Sequence, residues 1–336
     1  AKVRDAGAKV LVFDIVFSEP DRTTPALLVP DLPDTDMEWA VVREKLQSLT
    51  SHDTIFAEAL KQMPSVTGFI LTDGALERMP DLKVNPGNVG DEPAVNYLPT
   101  FSGVTTTLPE IEAAAAGNGS FNTLADADGI IRRVPILLAL NGKMVPSISA
   151  EAIRVISGRR SIMAKTPGAS DEANFGATRG VTKIQVGKTV VPTTEDGQIW
   201  IHFTKSEAAR RIPAYQVFDG TVDPALLKDA ILFLGTSAEG LRDIRATPVD
   251  GAMAGVEVQV MAAEQMLLGH YLFRPDWGPG LELIFAGLTG LIVLLLMQRV
   301  SPYWIAAIAI AGIAAATGFS WWSYAEQQML VDPVGP

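Results

Sequence analysis

The chain of 336 residues contains no cysteine. That excludes disulfide staples, thiolate catalysis and thiolate-bound zinc, while leaving the compartment open. Basic residues are in short supply: 27 Lys and Arg stand against 38 Asp and Glu, for a net charge of −11. A nucleic acid or an anionic lipid surface as main partner would demand a basic face, so this balance argues against both. Only three histidines occur, without metal-ligand spacing. There is no Walker lysine motif and no G-x-G-x-x-G, hence no nucleotide cradle. The first residues are charged and lack the apolar core of a cleavable signal peptide. No metal and no cofactor is expected in this chain.

Charge is missing altogether from two long runs. Residues 283–297 read LIFAGLTGLIVLLLM, and residues 303–319 read YWIAAIAIAGIAAATGF. With their flanks, including Gly280 and residues 320–322, each reaches the roughly 17–25 residues that cross a bilayer. Both runs are apolar on every side, unlike the striped helices of a soluble core. Only Glu282 intrudes, at an end where water is expected. The expectation is a membrane hairpin over 278–322, turned at Gln298-Arg299-Val300-Ser301-Pro302. Arg299 in that turn, with no acid beside it, places the turn in the cytoplasm. Residues 1–277 then lie outside the inner membrane. Trp277, Tyr303, Trp304, Trp321 and Trp322 take interfacial positions. An outside domain must itself cross the membrane, so an upstream signal or helix is expected. Residues 323–336 are expected to lead to a third crossing.

Residues 1–277 read as an α/β domain with a mixed, partly parallel sheet flanked by helices. Apolar runs at 9–16, 66–71 and 230–235 have the look of buried parallel strands. Asp53 is placed to cap a helix that Pro64 stops. Residues 72–109 read as a loop-rich excursion, and 159–180 as a polar, mobile one. Asp126-Ala127-Asp128-Gly129 is a turn, residues 130–140 one strand, and Asn141-Gly142 a hairpin turn into a return strand at 143–146. Ser147 caps a helix that Gly158 closes. Residues 183–191 and 198–203 read as strands. The last helix, 256–268, is expected to bury Val256, Val260, Ala263 and Leu267. Arg274 and Pro275 then hand it to the membrane.

Candidate chemistry is sparse. The loop Gly235-Thr236-Ser237-Ala238-Glu239-Gly240 follows an apolar strand, where open α/β sheets hold ligands. Asp14, Glu19, Asp128, Arg132, Thr236, Ser237 and Asp243 are the ligand-binding candidates. Charges beside core segments also need partners, so structural ion pairs compete with a pocket for Asp14, Asp128, Arg132, Arg133 and Asp243. A triad of Ser237, one of His52, His202 or His270, and Asp243 can be written down, but no G-x-S-x-G elbow surrounds the serine. No catalytic residue is assigned.

Five segments in order carry a resemblance: GAKVLVFDIVFSEPDR (7–22), DADGIIRRVP (126–135), PSISAEAIRV (146–155), ILFLGTSAEGLRD (231–243) and TPVDGAMAGVEVQVMAAEQML (247–267). Together they resemble the CHASE extracellular sensory domains of the second type. The resemblance implies an extracytoplasmic sensor, about three membrane helices and a cytoplasmic output. That output is usually a class III nucleotide cyclase, a histidine kinase or a serine/threonine kinase. The sensing and membrane part of an adenylate cyclase receptor, acting as a homodimer, is the leading expectation. A kinase sensor, or a membrane-anchored scaffold without enzymatic output, is the alternative. The stimulus is expected to be a small molecule or a periplasmic protein. Val256, Val260, Leu267, Arg274 and Pro275 are the expected route of signal transmission.

Overall fold

Short apolar, β-branched runs lie side by side at the centre of the computed structural model, which describes residues 1–33, 37–168, 179–237, 243–275, 277–297 and 301–332. The strands are β1 (Val10–Phe13), β2 (Ser65–Thr72), β3 (Gly103–Thr105), β4 (Gly117–Ser120) and β5 (Ile231–Leu234). β5, β1, β2 and β4 are parallel neighbours in that order, with Val10 opposite Ile231, Leu11 opposite Ser65 and Val66 opposite Gly117. β3 runs antiparallel to the far half of β2. Alternation along β1 splits its side chains between two faces. Val10 and Val12 meet Ile148 and Ala152 of helix α3 (Ile148–Ser157), whereas Phe13 meets Leu60 of α1 (His52–Leu60) and Ile111 of α2 (Pro109–Ala114). Helices therefore cover both faces, as parallel strands require.

The antiparallel portion packs on the same core. The expected Asn141-Gly142 turn joins Leu137–Leu140 to Lys143–Pro146, with φ of 47° and 74° at the two turn residues. Ser147 accepts the Ala150 amide proton at 3.3 Å, and Gly158 closes α3 in the left-handed region. A four-stranded sheet runs Thr189–Pro192, Lys183–Val186, Ile162–Lys165, Gly87–Val89. Its Ile162, Ile184 and Val186 share one apolar cluster with Ile153 of α3 and with Val258, Met261 and Ala262 of α4 (Gly255–Leu268).

Several expectations need correction. Ser51, not Asp53, caps α1; the Asp53 carboxylate instead accepts the Asp21 amide at 3.0 Å. Residues 130–140 do not form one strand. Arg133–Pro135 pairs with Gln198–Trp200, and Leu137–Leu140 pairs elsewhere, because Ile136 switches the chain between sheets. The excursion 159–180 contains the strand Ile162–Lys165, held by Lys183–Val186; residues 169–178 lie outside the described residues. On α4 the buried residues are Gly255, Val258, Gln259, Met261, Ala262, Ala263, Gln265 and Met266, so of the four expected there only Ala263 is buried. Val256 and Val260 are half-buried and Leu267 is 48% exposed. The buried face carries two glutamines with hydrogen-bond partners, so counting apolar residues rotated the helix away from its true orientation.

Beyond the domain lie two apolar helices, α5 (Gly278–Leu296) and α6 (Pro302–Gln327). α6 alone among the described residues is both long and apolar enough to cross a membrane; the apolar part of α5, Gly280–Leu296, is shorter. Neither is the core of a globule. Leu283, Ile284, Leu288, Leu294, Ile310 and Ile313 all lie exposed. The two helices approach where a Cβ on Gly312 would lie 3.6 Å from the Thr289 methyl. Arg299, on which the orientation rests, falls outside the described residues, as does Asp276.

Candidate functional site

The parallel strands end together, and chain connectivity gathers charge at that edge. Asp14 follows β1 directly. Its amide donates to the Leu234 carbonyl at 2.8 Å, which fixes it beside the end of β5, and its residue surface is only 9% exposed. From β5 the chain enters Gly235, Thr236 and Ser237. Gly235 is required by packing: a Cβ there would lie 2.5 Å from the Cβ of Val256 on the first turn of α4. Residues 244–245 then pair with Met253–Ala254, and this ribbon delivers Asp243 to the α4 N-terminus. The Gly255 amide donates to the Asp243 carbonyl at 3.0 Å, and the Asp243 carboxylate lies against the Gly255 Cα, where any side chain would collide.

Among the described residues the edge thus brings Asp14 and Asp243 near Arg245. Arg245 pairs with Asp243 at 3.2 Å, and the positive end of α4 favours that carboxylate further. Among the described residues no salt bridge joins Asp14 to a cation. Burial, then repulsion from Asp243, push its carboxyl up to about 7, against a partial counter-effect from Arg245. Asp14 is therefore poised to exchange a proton near neutral pH. Arg245 was not among the sequence candidates. It stands two residues from Asp243 on an extended segment, so the two side chains share a face; that spacing was the available signal.

The other candidates are placed differently. Arg132 makes a two-pronged pair with Asp128, at 3.0 and 2.7 Å, and reaches Asp126 at 2.9 Å; Arg133 reaches Asp126 at 2.7 Å. Arg132 hydrogen bonds hold Asp128 down to about 2. These charges satisfy one another, and among the described residues no hydrogen bond or ion pair joins them to Asp14. Glu19 is exposed on the loop after β1, Thr236 is half-buried and Ser237 exposed, and residues 238–242 lie outside the described residues. His52 contacts Thr23 at 3.1 Å and His202 contacts Tyr324 at 2.9 Å, so both are engaged away from Ser237. No group of three or more metal-ligating side chains occurs among the described residues.

At the opposite end of α4 the chain meets the two apolar helices. Pro275 is buried and Arg274 half-exposed. Arg274 pairs at 2.8 Å with Glu282, which is itself 7% exposed and also accepts the Asp332 amide at 2.8 Å. Protein groups, rather than water, solvate Glu282. A cleft of about 400 Å³ opens here, lined by Trp200, Arg274, Ser320, Trp321, Tyr324 and Leu330 among others.

An α/β domain with a charged sheet edge is thus joined by its last helix to exposed apolar helices, one of them long and apolar enough to cross a membrane. The CHASE2 domain family model matches residues 1–294, and the chain belongs to that family. CHASE2 is an extracellular sensor domain found in signalling receptors. No curated protein and no solved structure matched the chain.

Proposed function

We propose that this chain is the sensing and membrane-anchoring part of a receptor whose cytoplasmic output is a class III adenylate cyclase. The sensor part of the reading is supported above all by the extent of the family match, which runs from residue 1 into α5; the cyclase output is the output that the family resemblance favours. In this reading α5 and α6 cross the bilayer as a hairpin, and residues 1–277 face outward. The Arg299 turn lies in the cytoplasm and the receptor works as a homodimer. A small polar molecule or a periplasmic protein acts at the edge formed by Asp14, Thr236, Ser237, Asp243 and Arg245. Its arrival shifts α4, and the shift passes through Arg274 and the buried Pro275 into α5.

Membranes carrying the full-length receptor test the output: conversion of ATP to cyclic AMP is expected. Transfer of phosphate to protein would instead assign a kinase, and neither activity would leave a scaffold. Replacing Pro275 with a flexible Gly-rich insert is expected to uncouple output from the sensor. An unchanged output in that variant would contradict the route through α4.

A further inference from the structure

The outer ends of α5 and α6 are tied to the domain by a continuous hydrogen-bonded ribbon. It starts in the DADGIIRR segment, where Leu124 bridges Arg133, and Arg133–Pro135 pairs antiparallel with Gln198–Trp200. Trp200 bridges Leu272, and Phe273 bridges Met329 in parallel. In that last step the Phe273 amide donates to the Gln328 carbonyl at 3.1 Å, and the Leu330 amide donates to Phe273 at 2.9 Å. Phe273 lies five residues before α5 begins, and Met329 two after α6 ends. The ribbon's final two members therefore grip both helices.

Side chains reinforce each rung. The Arg133 guanidinium sits 5.1 Å from the Trp200 ring centre. Gln265 of α4 accepts the His202 amide at 2.8 Å and donates to the Trp200 carbonyl at 2.7 Å, locking the ribbon to α4. His202 stacks on Tyr324 of α6, rings 5.8 Å apart, and meets its hydroxyl. Ser320 of α6 donates to the Val331 carbonyl at 2.7 Å, and Glu282 of α5 takes the Asp332 amide at 2.8 Å. The segment after α6 is thus bound to the domain and to both helices at once.

We propose that this ribbon, with residues 328–332 as its closing strap, sets the spacing of the outer ends of α5 and α6 and carries the sensor's state to both helices together. The inference rests on the receptor reading but adds a second route, to α6, that does not pass through Pro275.

The test uses the whole chain in lipid nanodiscs and amide hydrogen exchange, and needs neither stimulus nor output domain. Adjacent strands lie about 4.8 Å apart, inside the roughly 4.4–6.8 Å between Cα atoms that a disulfide spans. The Phe273→Cys/Met329→Cys pair, in a chain with no other thiol, is expected to oxidise readily. The closed strap should then slow exchange at least tenfold at the His202 amide and in the last turns of α4. Leu330→Pro, which deletes the donor to Phe273, should speed the same amides about tenfold. Failure of the disulfide to form overturns the ribbon. A disulfide that forms while protection changes only at 273 and 328–332 overturns the coupling. A receptor without cyclase activity would leave this result standing, so the two readings fail separately.

Discussion

Asp14 is a carboxylic acid folded into a place that disfavours its charge. The folded protein binds the Asp14 proton more tightly than the unfolded chain, because burial and Asp243 raise the carboxyl from 3.8 to about 7. Its contribution to stability is complete below the unfolded value and is lost as pH rises through 7. By linkage the protein should lose about 1 kcal/mol between pH 6 and pH 8 from this residue. Asp14→Asn keeps the shape and removes the titration. Thermal unfolding of the variant should show a smaller pH 6 to pH 8 difference than the parent; an identical difference would place the titration elsewhere. Burial pushes the Glu151 carboxyl up as well, but there Arg154 pulls against it. The two form a buried ion pair on α3, side chains 0% and 6% exposed, with Arg154 also donating to the Ala116 carbonyl at 2.8 Å. Arg154→Met strands the Glu151 charge and should cost about 3–5 kcal/mol in denaturant titrations. Replacing both partners with apolar residues should recover much of that loss.

At the scale of elements, what could be read from the sequence was what is determined locally. Asn141 and Gly142 need only their own left-handed backbone to make a hairpin, and Ser147 and Gly158 need only the ends of α3. Those features stand where the pattern put them. Gly142→Ala, at φ 74° with open space around it, should cost about 1 kcal/mol through backbone strain alone. Gly235→Ala should cost more, about 1–3 kcal/mol, because the new methyl group meets Val256; equal losses in the two variants would contradict the close approach of β5 to α4. Pairing between distant segments was not legible. The strand Ile162–Lys165 is short and bounded by polar residues, and only its partner Lys183–Val186 makes it a strand. The orientation of α4 was hidden for a related reason. Gln259 and Gln265 are buried to bond the Phe121 and Trp200 carbonyls, and glutamine carries no apolar signal. Asp14 and Asp243 were found as charges beside strands, but their meeting, and the separation of Asp128 and Arg132 into a network of their own, follow from topology.

The whole molecule is a sensor-family domain whose apolar surplus lies in two helices at one end. That division suits a membrane anchor, and the outward placement of the domain is supported by the match to an extracellular sensor family. Glu282 is a buried acid that holds Arg274 and the segment after α6 where the domain meets the apolar helices. The claim on which everything else depends is the side of the membrane that the domain occupies. This chain carries no cysteine, so one introduced thiol reports the side of the membrane once any cysteines elsewhere in the receptor are replaced. In intact cells bearing the receptor with the exposed residue changed as Glu19→Cys, a membrane-impermeant maleimide should label the protein fully, while an Arg299→Cys receptor should label only after permeabilisation. Labelling of Arg299→Cys in intact cells with Glu19→Cys protected would contradict the account.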